Sequence, residues 1–129
     1  MNKILVEVSI GELLDKISIL EIKLDKIKDS ENLKFISNEY TILKKQLDNN
    51  VKSDDKLVKF FQSLKEINEK LWVIEDEKRQ CEKDKDFGKQ FIKLSRDVHF
   101  LNDERAKIKL DINNHTGSSI KEIKEYTSY

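Results

Sequence analysis

Apolar side chains recur at alternating steps of three and four residues through four separate stretches of this chain. Such spacing places them along one face of a helix, where they form a seam against neighbouring helices. The chain contains no proline and only three glycines, so long helices meet few interruptions. The sequence therefore predicts an all-α fold of amphipathic helices. The clearest seam consists of Phe91, Leu94, Val98, Leu101, Ile108 and Ile112.

Capping residues and polar turns predict where the helices begin and end. Ser9 followed by Glu12 is typical of the capping box that starts a helix. Short connections between the helices predict antiparallel neighbours, either in a four-helix bundle or in paired helical hairpins. We expect a single domain over 1–129, with helices over about 10–29, 31–48, 54–83 and 87–113.

Two short segments flank the predicted helices. Residues 3–8 are rich in β-branched side chains, which predicts an extended segment that is too short to form a sheet alone. After the last long helix, Ser118 or Ser119 should cap a short helical turn over 119–126.

The charge pattern bears on partners and location. Lys and Arg number 25, Asp and Glu also number 25, and the two signs are interleaved along the chain. This balance is typical of solvated helix faces and gives no basic surface for nucleic acid. Cys81 is the only cysteine, which rules out an intramolecular disulfide and fits a reducing compartment. Because no apolar run is long enough to span a bilayer, we expect a cytoplasmic protein with no membrane partner.

Five polar residues interrupt or border the apolar seams. Arg105 stands at a seam position where the spacing calls for an apolar side chain. A buried charge requires a partner, so we expect Arg105 to pair with Glu21 or Glu75. Helical spacing places Asn68 and Asn102 beside the same surfaces. The candidate ligand-binding cluster is therefore Glu21, Asn68, Glu75, Asn102 and Arg105.

Two interpretations of this cluster stay open. It could be a buried ion-pair network that fixes the register of the helices. It could also line a pocket between helices that binds an anionic or polyhydroxyl small molecule. No metal site or cofactor is predicted, because neither His99 nor His115 follows a glutamate by three residues as a di-iron helical bundle requires. A second apolar stripe at Ile19 and Ile22, or the segment 3–8, predicts a homodimer.

Three runs of residues resemble a known family. They are 6–23, 68–76 and 102–109, followed by Ile112 with Asn113, Gly117 with Ser118, and 122–126. This pattern is similar to that of a family of short all-helical bacterial and phage proteins known only as a domain of unknown function. The resemblance covers essentially the whole chain and includes all five residues of the cluster. It implies no activity, but relatives that occur beside surface-polysaccharide glycosyltransferases imply an accessory role in saccharide metabolism.

The leading functional hypothesis is accordingly a non-enzymatic helical module for binding or assembly, accessory to cell-surface saccharide metabolism. Its partner would be another protein, a second copy of the chain or an anionic small molecule. The alternative is an enzyme or a binding protein for an anion or sugar nucleotide that works through the Glu21, Asn68, Glu75, Asn102 and Arg105 cluster. Whether the protein is an enzyme is left open by the sequence.

Overall fold

The computed structural model describes residues 2–129 and contains no β-strand in that range, which confirms the all-α prediction. Its four helices lie close to the predicted stretches. Ser9 caps the first helix, since its Oγ accepts a hydrogen bond from the backbone N–H of Glu12 at 3.0 Å. The helices are α1, Ile10–Lys26; α2, Ser30–Asn50; α3, Asp55–Asp84; and α4, Lys89–Thr116.

The first helix is the element around which the others are arranged. It contacts α2, α3 and α4, and α3 and α4 also contact each other as a hairpin. Within residues 2–129 the backbone of α2 approaches only that of α1 among the helices, and α2 contains no buried residue. The central packing unit is therefore a three-helix group of α1, α3 and α4, and α2 packs on α1 with Leu47 against the edge of the core.

The core lies where these three helices meet. Leu14 of α1, Leu57 and Leu64 of α3, and Ile112 of α4 form a buried cluster, and Leu64 and Ile112 are fully inaccessible. The 17 residues of α1 span about 26 Å, whereas the 30 residues of α3 span about 45 Å. The far part of the α3–α4 hairpin therefore extends beyond α1. No helix in residues 2–129 has the length and apolar character to cross a membrane.

The predicted turn over 119–126 is wrong, because residues 118–129 contain no helix. This segment, called the strap below, turns back along α4. The hydroxyl of Ser118 does not cap a turn, since it accepts from the N–H of Ile10 at 3.3 Å and donates to the carbonyl of Ile120 at 2.8 Å. Ile123 and Tyr126 are largely exposed, so no apolar stripe would stabilise a helix there.

Candidate functional site

A buried amide, Asn68 of α3, joins the three packed helices. Its Nδ2 donates to Asp15 Oδ1 and to Ser18 Oγ of α1, both at 2.8 Å. Its Oδ1 accepts from the guanidinium of Arg105 on α4 at 3.2 Å. Asn68 is only 5% exposed, so both ends of its amide are occupied by protein groups. The side chain thus links a carboxylate on one side to a cation on the other.

On the side of Asp15 the polar contacts are largely covered, since the side chains of Asp15 and Lys109 are buried while Glu12 and Glu122 keep partial contact with solvent. The ammonium of Lys109 lies 2.6 Å from Glu12 Oε2, 3.0 Å from Glu122 Oε2 and 3.7 Å from Asp15 Oδ2. Burial alone would lower the pKa of Lys109, but the hydrogen bonds to Glu12 and Glu122 together with the charges of Asp15 and Glu12 outweigh burial, so the pKa lies above its ordinary value. The hydrogen bond from Lys109 lowers the pKa of Glu122. We call this group the sealed cluster.

Close approach of α1 and α4 stabilises the sealed cluster. The N–H of Gly11 donates to Asn113 Oδ1 at 2.7 Å. A Cβ at position 11 would lie 2.6 Å from the carbonyl oxygen of Lys109 and 3.0 Å from Asn113 Oδ1. Only glycine therefore allows the two helices to lie this close, and that contact places Lys109 beside the acids of α1.

On the side of Arg105, the hydrogen-bonded side chains that meet at Asn68 border a cleft of about 380 Å³ between the three packed helices. Within residues 2–129 no carboxylate lies within 4.0 Å of the guanidinium of Arg105 or of Arg79. The walls of the cleft combine aliphatic, aromatic and charged side chains. They are Ile19, Ile22, Asn68, Leu71, Trp72, Glu75, Asp76, Arg79 and Arg105.

The predicted pairing of Arg105 with Glu21 or Glu75 is wrong. Glu21 faces the other side of α1, where it accepts from Lys65 Nζ at 3.0 Å and from the hydroxyl of Tyr40 at 3.2 Å. There it borders a second cavity of about 150 Å³ under α2. Burial first, and then the charge of Glu21, raise the pKa of Tyr40. Glu75 shares the cleft with Arg105 but forms no ion pair with it.

The structure therefore brings three of the five predicted residues together in the cleft, namely Asn68, Glu75 and Arg105. Asn102 is half-buried on α4, lines neither cavity and forms no side-chain hydrogen bond within the described part of the chain. Among residues 2–129 no group of three or more histidine, cysteine or acidic side chains is arranged to hold a metal ion.

Sequence reasoning identified none of the four residues of the sealed cluster as site residues, and it also missed the neighbouring Ser18 and Asn113. Asp15 and Ser18 follow Gly11 at steps of four and three, and Lys109 and Asn113 follow Arg105 at steps of four. These are polar stripes at helical spacing, parallel to the apolar seams. They also fall within the runs that carry the family resemblance. That spacing was the signal that could have identified them.

The fold and the cleft define an all-helical protein with one polar network, in which acids hold Lys109 at one end and Arg105 borders a cleft at the other. The chain matches a family of unknown function, DUF6165, over residues 4–129, and it therefore belongs to that family. No curated protein and no solved structure matches the chain.

Proposed function

We propose that this protein is a non-enzymatic binding module whose cleft takes a saccharide that carries an anionic group, such as a sugar nucleotide. It would act in the cytoplasm as an accessory to cell-surface saccharide metabolism. The observation that carries the proposal is the guanidinium of Arg105, which is held by Asn68, lies beside the cleft and has no acidic partner within 4.0 Å among residues 2–129.

Arg105 is suited to bind a phosphate or carboxylate group. A guanidinium has five N–H donors in a fixed plane, and among residues 2–129 Arg105 forms a single side-chain hydrogen bond. Because Asn68 is itself fixed by Asp15 and Ser18, the orientation of the guanidinium is set before a ligand arrives. Such preorganisation reduces the entropy lost on binding. Arg79 adds a second cation to the same cleft.

The remaining walls suit a sugar ring. Trp72 supplies an aromatic surface of the kind that packs on an apolar ring face, beside the aliphatic side chains of Ile22 and Leu71. Glu75 and Asp76 supply acceptors for hydroxyl groups. An apolar wall with a few convergent polar groups is typical of small-molecule sites. The resemblance to proteins that occur beside surface-polysaccharide glycosyltransferases supports the same ligand class.

Trp72 is the only tryptophan in the chain, so intrinsic fluorescence reports directly from the cleft. We expect UDP-glucose to change this fluorescence saturably, and UDP or maltose alone to bind more weakly because each provides only part of the contacts. Arg105→Met should weaken binding of UDP-glucose at least tenfold, since a charge-assisted hydrogen bond to phosphate is lost (about 1.5–3 kcal/mol).

Arg96→Met is the matched control. Arg96 lies on the same helix, is exposed and sits 5.8 Å from the ring of Phe100, and it does not line the cleft. The Arg96→Met variant should bind UDP-glucose as the unaltered chain does. Equal binding by both variants, or no binding of any of the three probes, would contradict the proposal. NMR of the recovered UDP-glucose provides the test against the enzyme alternative, because a binding module returns the probe intact.

A further inference from the structure

The segment that precedes α1 exposes an unusual amount of apolar surface. Ile4, Leu5 and Val6 are 89%, 86% and 74% exposed. Residues 2–8 contain no regular secondary structure, and none of their backbone groups forms a hydrogen bond within residues 2–129. Three consecutive large apolar side chains in water, on a backbone with free donors and acceptors, are the features of a strand that pairs with another chain.

The sequence of this segment is complementary to itself. If two copies run antiparallel with Leu5 opposite Leu5, then Ile4 lies opposite Val6, and Lys3 lies opposite Glu7. The arrangement therefore gives two identical ion pairs related by a two-fold axis through Leu5. Opposite charges placed directly across an antiparallel pair stabilise it, and β-branched residues favour the strand conformation.

We propose that two copies of this chain associate through antiparallel pairing of residues 2–8, in the register that places Leu5 on the two-fold axis. Ile4, Val6 and Val8 share one face of the resulting ribbon. Because a two-stranded ribbon alone is marginally stable in water, this face would pack on the helices of the dimer. The proposal is independent of the cleft and of any ligand there.

Cysteine cross-linking tests the register. In a Cys81→Ala background, Leu5→Cys places two thiols opposite each other on the axis, within the separation that a disulfide allows. Lys3→Cys is the matched control, because two copies of position 3 lie four residues apart along the ribbon, about 13 Å. We expect mild oxidation to link Leu5→Cys chains into dimers, and Lys3→Cys chains only when they are mixed with Glu7→Cys chains.

Charge reversal tests the association in the otherwise unaltered chain. Sedimentation equilibrium should give a mass twice the 15.3 kDa of one chain. Lys3→Glu and Glu7→Lys should each raise the dimer dissociation constant roughly tenfold, since each change converts both ion pairs into like-charge pairs. The double variant should restore the original dissociation constant. Circular dichroism checks that the helices are unchanged, which is expected because Lys3 and Glu7 are exposed.

Three results would overturn the proposal. The first is a monomer at every soluble concentration. The second is a dimer whose dissociation constant does not change with either single charge reversal. Such a dimer would be held together by another surface of the chain. The third is cross-linking of Lys3→Cys with itself as fast as Leu5→Cys, which would exclude the two-fold register. None of these outcomes depends on whether UDP-glucose binds in the cleft.

Discussion

Arg105 and Lys109 lie one turn apart on the same helix and carry the same charge, yet their surroundings differ. Lys109 is in contact with three carboxylates, from Glu12, Asp15 and Glu122. Arg105 is in contact with one neutral amide and otherwise borders the cleft. The difference comes from the start of α1 and the strap, which place three acids on Lys109 and, among residues 2–129, none within 4.0 Å of Arg105. A cation inside a helical seam is thus structural or available for a ligand according to what covers it.

The largest effect on stability should come from Lys109→Met. This change leaves three carboxylates around an apolar side chain, and removing one partner of a buried ion pair typically lowers the free energy of unfolding by several kcal/mol. Because Glu12 and Glu122 retain some contact with water, we expect a loss of about 3 kcal/mol, at the low end of that range. Urea unfolding followed by circular dichroism measures it.

The matched control for Lys109→Met is Lys107→Met, which alters an exposed side chain on the same helix. It should change the free energy of unfolding by no more than about 0.5 kcal/mol. If Lys109→Met were equally mild, the sealed cluster would contribute little to stability, and the contrast with Arg105 would fail.

The next largest effect should come from Gly11→Ala. At an open helical position this substitution stabilises a helix by up to about 1 kcal/mol. Here the new Cβ would lie 2.6 Å from a backbone oxygen of α4, so the helices must separate. We expect the free energy of unfolding to fall by about 2 kcal/mol, as measured by urea unfolding. Gly88→Ala meets only the side chain of Asp86, at 3.3 Å, and should cost under about 1 kcal/mol.

Arg105→Met should have a smaller effect on stability than either Lys109→Met or Gly11→Ala. The guanidinium has no acidic partner within 4.0 Å among residues 2–129, so its removal leaves no carboxylate without a partner. It does leave Oδ1 of Asn68 without its protein donor, but Asn68 lines the cleft, where water can replace that donor. We expect urea unfolding to show a loss of about 1 kcal/mol, near the lower limit for an acceptor that loses its partner. A loss as large as that of Lys109→Met would mean that the cleft end is structural as well.

The local parts of this fold could be predicted from the sequence, because they depend on neighbours along the chain. Periodicity predicted all four helices, and Ser9 caps α1 as its spacing to Glu12 indicates. The strap could not be predicted in this way, since its anchors are remote in sequence. Ser118 accepts from Ile10, which lies 108 residues away.

The candidate site likewise combines local features that the sequence predicts with long-range contacts that it does not predict. Helical spacing identified Asn68 and Arg105 as inward-facing polar residues, and the structure places them in contact. Helical spacing could not assign the partners of these residues, because the rotation of α1 about its own axis decides which acid faces α4. That rotation directs Asp15 toward α4 and Glu21 toward Lys65 and Tyr40. Partner choice is a property of tertiary packing, which a helical wheel for each helix in isolation does not contain.

The smallest effect expected concerns Glu122, the acid that the strap adds to the sealed cluster. The hydrogen bond from Lys109 lowers the pKa of Glu122 in the folded chain. Its contribution to stability is therefore present above the ordinary pKa of a glutamate, about 4.3, and is lost as the pH falls through the lower folded value. Because 46% of this side chain is exposed, solvent screens the pair, and Glu122→Gln should cost roughly 0.5 kcal/mol at neutral pH.

Urea unfolding of the unaltered chain and of Glu122→Gln, at pH values from neutral to about pH 3, tests this expectation. The difference in the free energy of unfolding between the unaltered chain and Glu122→Gln should shrink as Glu122 becomes protonated, because the protonated acid no longer provides a negative charge to Lys109. Glu125→Gln is the matched control, since Glu125 lies on the exposed strap and forms no ion pair within residues 2–129. A difference that stays constant with pH would show that Glu122 contributes by packing alone. The strap would then cover Lys109 without taking part in its charge balance.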